Sequence, residues 1–84
     1  MATHETTLLK ILRGGSDANI GFDDLQGLLL HLGFEERVRG SHHVFVRSGI
    51  EELINVQRSG SKAKPYQVRQ VRAVITRHGL GGAE

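Results

Sequence analysis

The chain has 84 residues, enough for one domain with a thin core, and it carries 11 Lys or Arg against 9 Asp or Glu. It has no cysteine, which excludes a disulfide framework and a thiolate metal site. Apolar runs such as Leu28 to Leu30 are too short to span a bilayer, and no basic region followed by an apolar run opens the chain. A cytoplasmic protein with neither membrane anchor nor signal peptide is therefore expected. The net charge of +2 is unevenly spread: two basic against six acidic residues up to Glu36, then nine against three from Arg37 onward. A basic second half suits a polyanionic partner, nucleic acid first of all, although chance clustering gives the same count.

In chain order, Thr6 or Thr7 is placed to cap a short helix whose Leu8, Leu9, Ile11 and Leu12 form one apolar stripe. Gly14 and Gly15 end it, and Ser16 to Gly21 reads as a loop. His4 is expected in a disordered terminus. A second helix is predicted from Phe22, with Asp23 and Asp24 in the first turn, where the helix dipole favours carboxylates. Leu25, Leu28, Leu29 and Leu32 follow at helical spacing, and Gly33 is the stop. Gly27 within it offers room for another element to approach.

From Phe34 the period becomes two. Phe34, Glu36 and Val38 alternate with Glu35, Arg37 and Arg39. After Gly40-Ser41, His42, Val44 and Val46 alternate with His43, Phe45 and Arg47. After Ser48-Gly49, Leu53 to Arg58 alternates again with Ile54 and Val56 on one side. Three antiparallel strands joined by tight turns are predicted. Ser59 to Lys64 reads as a basic loop. Pro65 opens a final helix with Val68, Val71 and Ile75 as its buried stripe and Arg69 and Arg72 beside it. His78 suits the negative end of that helix, and Gly79-Leu80 reads as its cap. The expected fold is a single α+β domain over residues 1–84, in the order α-α-β-β-β-α, with helices on one face of the sheet. Residues 1–20 are read as a helix and loop, and 81–84 as a frayed tail.

The stretch "RGSHHVFVR" (residues 39–47) raises the question of function. With Val44 and Val46 facing the helices, His43, Phe45 and Arg47 share the open face. That trio suits RNA: a ring to stack on a base, a guanidinium for a phosphate, and an imidazole to move a proton. A free histidine titrates near pH ~6.5, so it can accept a 2′-hydroxyl proton or return one to a leaving oxygen. The simpler reading is a strand end with incidental histidines. A metal pair is disfavoured, because adjacent strand residues point to opposite faces and no Cys, Asp or Glu cluster completes a site; neither a metal nor a cofactor is expected.

The stretches "LLLHLGFEERVRGSHHVFVR" and "LINVQR", with a Pro-started last helix ending "RHGL", resemble the HicA family over Leu25 to Leu80. Its members are small toxins of toxin–antitoxin pairs, with a fold similar to double-stranded-RNA-binding domains and an activity of mRNA cleavage. The matching residues are Leu32-Gly33-Phe34, Arg37, Arg39 and Gly40-Ser41-His42-His43. The resemblance implies that His43 is catalytic, that Gly40, Ser41 and His42 shape or assist the site, and that a HicB-type antitoxin is the partner. Arg37, Arg39, Arg47, Lys62 and Lys64 are the expected phosphate contacts, and Phe45 the expected stacking ring. Two departures stand out. Gln57 to Ser61 occupies the place of the family's proline-histidine element, which leaves the general acid unassigned, and the helix before Asn19 is additional. The leading expectation is a metal-independent endoribonuclease toxin. The alternatives are a non-catalytic RNA-binding module or an inactive HicA relative, and, in another class, a protein-interaction adaptor.

Overall fold

The leucine spacing of the second predicted helix is realised between Phe22 and His31. The computed structural model describes residues 4–80; the expected tail at 81–84 lies outside them. The elements in order are α1 (His4–Arg13), a 3-10 turn (Asp17–Asn19), α2 (Phe22–His31), β1 (Glu35–Arg39), β2 (His42–Arg47), β3 (Ile50–Val56), a small hairpin of β4 (Arg58–Ser59) and β5 (Lys62–Ala63), and α3 (Pro65–His78). Strands β1, β2 and β3 form an antiparallel sheet in that order.

The expected α-α-β-β-β-α order is the observed one, with three local differences. Helix α1 runs over His4–Arg13, so Thr6 and Thr7 lie inside it rather than capping it, and Thr7 is buried. His4 is ordered: its ring stacks on His31 with centroids 4.6 Å apart and sits over Gly27, where a Cβ would meet His4 Cε1 at 3.1 Å. The segment read as a basic loop folds as the β4–β5 hairpin. Ser61 O accepts from Phe22 N, and Ala63 N donates to Ile20 O, each at 2.9 Å, so the hairpin is stapled to the start of α2. These bonds satisfy backbone groups that a free loop would leave to water.

The core joins Leu8 and Ile11 of α1, Phe22, Leu25, Leu28 and Leu29 of α2, Phe45, Ile54 and Val56 of the sheet, and Val68, Val71 and Ile75 of α3. Helix α1 packs on both α2 and α3, and Ile11 is fully buried, so the additional helix completes this core. Arg72 fastens the corner. Its Nε donates to Ile11 O at 2.8 Å, and its guanidinium forms a very short pair with Asp17. Gly79 adopts the left-handed conformation (φ 60°) that closes α3, with Leu80 folded in behind it.

The sheet faces the opposite way from the expectation. Phe45 is fully buried against the helices, while Val44 and Val46 lie half-buried on the outer face. Register explains the choice. Val44 is opposite Arg37 on one side and Asn55 on the other, and Val46 is opposite Glu35. Turning the valines inward would drag these polar and charged groups into the core without partners. Phe45 instead lies between Ile54 and Glu36, and the polar groups on that face, Glu36 and His43, are bonded to each other.

Candidate active site

Gly40 and Ser41 make a two-residue turn between β1 and β2, with Gly40 at φ 58° in its first central position, where a positive φ favours glycine. Arg39 is therefore opposite His42, Val38 opposite His43, and Glu36 opposite Phe45. Glu36 thus becomes the diagonal neighbour of His43 on the helix-facing side, within reach of its ring.

That geometry is used. His43 Nδ1 donates to Glu36 Oε2 at 2.6 Å, with side-chain exposures of 19% and 15%. A carboxylate only accepts, so Nδ1 carries a proton, and the neutral form of the ring presents Nε2 as an acceptor. Nε2 has no bonding partner among the described residues, and one-fifth of the side chain remains open to solvent. Glu36 is held in turn. Gln26 Nε2, from α2, donates to both carboxylate oxygens at 2.9 and 2.7 Å. The edge-on Phe22 ring, 4.7 Å centroid to centroid at 67°, fixes the plane of the imidazole. The Arg58 guanidinium lies 4.2 Å over that same Phe22 ring and pairs with Asp23 at 2.5 Å.

His42 points to the other face, as strand alternation requires. Its Nδ1 lies 3.3 Å from Asn55 Oδ1, and its Nε2 lies 3.2 Å from the amide nitrogen of Gln57. Gln57 also reaches Ser41 Oγ at 3.4 Å and accepts from Lys64 Nζ at 3.2 Å, so Ser41, His42 and Lys64 form one polar group around it. Arg37 and Arg39 are exposed on the outer face with His42. Arg47 lies on the His43 side but four residues along the strand, against Gly33. Lys62 is exposed in β5, and Lys64 precedes α3. The expected site residues are thus split between the two faces, and Phe45 drops out as a stacking residue because none of its ring is exposed. The described residues hold no group of three or more His, Asp or Glu able to bind a metal ion.

The sequence model of the HicA toxin of bacterial toxin–antitoxin systems matches residues 22–80. The chain belongs to the HicA toxin family. No curated protein and no solved structure matches it. As a HicA protein it is the toxin of a toxin–antitoxin pair, and an antitoxin is its implied partner. The match begins at Phe22, so α1 and the 3-10 turn stand outside the HicA segment, although Leu8 and Ile11 of α1 share its core. No helix among the described residues is long and apolar enough to cross a membrane.

Four residues around His43 were missed in the sequence: Glu36, Gln26, Phe22 and Arg58. Glu36 had a signal, since a two-residue turn at Gly40-Ser41 already sets the register that brings it beside His43. Gln26, Phe22 and Arg58 had none, because they arrive from α2 and from a hairpin that reads as a loop.

Proposed function

We propose that this HicA toxin is a metal-independent endoribonuclease that cleaves mRNA in the cytoplasm, with His43 as its acid–base group. The observation that carries the reading is the short His43–Glu36 hydrogen bond on a partly exposed imidazole. A carboxylate on Nδ1 selects the tautomer with a free Nε2 and stabilises the imidazolium once a proton is taken. In this mechanism Nε2 accepts the proton of a ribose 2′-hydroxyl. The 2′ oxygen forms a bond to the adjacent phosphorus, and the bond from phosphorus to the 5′ oxygen breaks. The 5′ oxygen takes a proton from water and the His43 imidazolium returns its proton to solvent, giving a 2′,3′-cyclic phosphate and a free 5′-hydroxyl. Glu36 is a positioning residue in this scheme, and Gln26 holds Glu36.

Arg37, Arg39, Lys62 and Lys64 are exposed cations suited to the RNA backbone. A HicB-type antitoxin silences the enzyme by covering this basic surface. The test is incubation of the protein and of His43→Ala with an unstructured RNA in EDTA, with products separated on a gel. Cleavage by the parent and none by His43→Ala, with fold and antitoxin binding retained, supports the assignment. Equal cleavage by both refutes it. Absence of cleavage by either, with RNA retained at low salt, identifies a binding module without catalysis, the reading favoured by the lack of a histidine between Gln57 and Ser61.

A further inference from the structure

The reaction proposed for His43 builds negative charge on phosphorus, and an imidazole base does nothing to neutralise it. A cation is needed beside the imidazole. Arg37, Arg39, Arg47 and Lys64 do not supply one beside His43, and Lys62, on the same hairpin as Arg58, has no hydrogen bond or ring contact with the His43–Phe22 pair. Arg37 and Arg39 share the outer face with His42. Arg47 lies four residues along β2, about 13 Å at strand spacing. The Lys64 ammonium is engaged by Gln57 on the His42 side.

Arg58 stands differently. Its guanidinium stacks over the Phe22 ring, which meets the His43 ring at 4.7 Å between centroids, so the two functional groups contact one aromatic side chain. The β4–β5 hairpin, bonded to the start of α2, holds it there. About half of its side chain is exposed, and its carboxylate partner, Asp23, is 77% exposed. An ion pair this open is screened by water and easily exchanged.

Resting on the His43 reading, we propose that Arg58 is a second catalytic residue, the cation that grips the non-bridging oxygens of the scissile phosphate. In the free protein Asp23 keeps the guanidinium aligned over Phe22. On binding RNA, Arg58 turns from Asp23 to the phosphate. The phosphodiester carries one negative charge and the five-coordinate transition state two, so the exchange favours the transition state over the bound substrate.

The experiment measures single-turnover cleavage of a short unstructured oligoribonucleotide by the parent, Arg58→Gln and Asp23→Asn. The same oligonucleotide is also used with either phosphorothioate diastereomer at the cleaved linkage. Arg58→Gln is expected to slow cleavage about 100-fold or more. Asp23→Asn, which removes the carboxylate that competes with the phosphate for the guanidinium, is expected to exceed the parent rate. Sulfur at the gripped oxygen slows the parent and has little added effect on Arg58→Gln. Three results overturn the proposal: a parental rate for Arg58→Gln, an undiminished sulfur effect in that variant, or equal losses in both variants with lowered melting temperatures. The last would make the pair a structural clamp. Should Arg58→Gln fail to fold, Arg58→Lys, which keeps the charge but not the two-pronged grip, is read by the same sulfur effect. Failure of the underlying reading looks different, because then the parent itself shows no cleavage that depends on His43.

Discussion

Replacing Glu36 by glutamine changes one oxygen to an amide and removes one charge from beneath His43. Gln26 can still donate to the remaining carbonyl oxygen, and the half-buried position is nearly isosteric, so the fold should lose no more than about 1 kcal/mol. The chemical step loses much more. The carboxylate accepts a charge-assisted hydrogen bond from the neutral ring and forms a full ion pair with the imidazolium across the same 2.6 Å contact, so it stabilises the charged form more. Taking the difference as about 2–3 kcal/mol for partly desolvated partners, cleavage should slow roughly 30- to 150-fold. The glutamine amide also competes to donate toward Nδ1, which favours the wrong tautomer and adds to the loss. The assay is single-turnover cleavage by the parent, Glu36→Gln, His43→Ala and the double variant. Glu36 acts only through His43, so the double variant should be no slower than His43→Ala. Losses that multiply in the double variant would refute the reasoning. So would an unchanged rate in a folded Glu36→Gln protein.

Phe45→Ala should destabilise the protein by about 3–5 kcal/mol, read as a lower urea midpoint, because its ring is wholly enclosed between sheet and helices. A loss of RNA binding with unchanged stability would restore it as a stacking residue. Glu52 provides a pH test. The hydrogen bond from His78 (2.9 Å), then one from the backbone and that from Arg77 (3.2 Å), hold its carboxyl below the ordinary value of 4.5. A lowered folded value means that its stabilisation is complete above pH 4.5 and disappears as pH falls through the lowered value. Glu52→Gln should therefore be less stable than the parent at neutral pH, and thermal melts of the two should converge in acid. Arg37→Ala and Arg39→Ala should each reduce the slope of log affinity against log salt for single-stranded RNA by about 0.7 if each meets one phosphate. Unchanged slopes would remove the outer face from the RNA path.

Much of the architecture was legible because it depends on local signals. The leucines of α2 at helical spacing, the alternation from Phe34 onward, Pro65 at the start of α3 and Gly79 at its end each act within a few residues. Which face of the sheet would be buried was also written in the chain, but only jointly: Val44 and Val46 had to be read with Arg37, Glu35 and Asn55, their partners in register. Read one strand at a time, two valines outvote one phenylalanine. Read as a sheet, the buried face is the one that leaves Arg37 and Arg39 in water.

The site divides along the same line. The amino-acid sequence determined the Gly40-Ser41 turn, the opposite facing of His42 and His43, and through the hairpin register the meeting of Glu36 with His43, all consequences of a short loop and a side-chain period of two. Only the tertiary structure decided that Gln26 would hold Glu36, that Phe22 would set the imidazole plane, and that Arg58 would lie over Phe22. Those contacts join residues from α2, the sheet and the β4–β5 hairpin. Their positions follow from how the apolar faces of separate elements pack together, which no local pattern encodes.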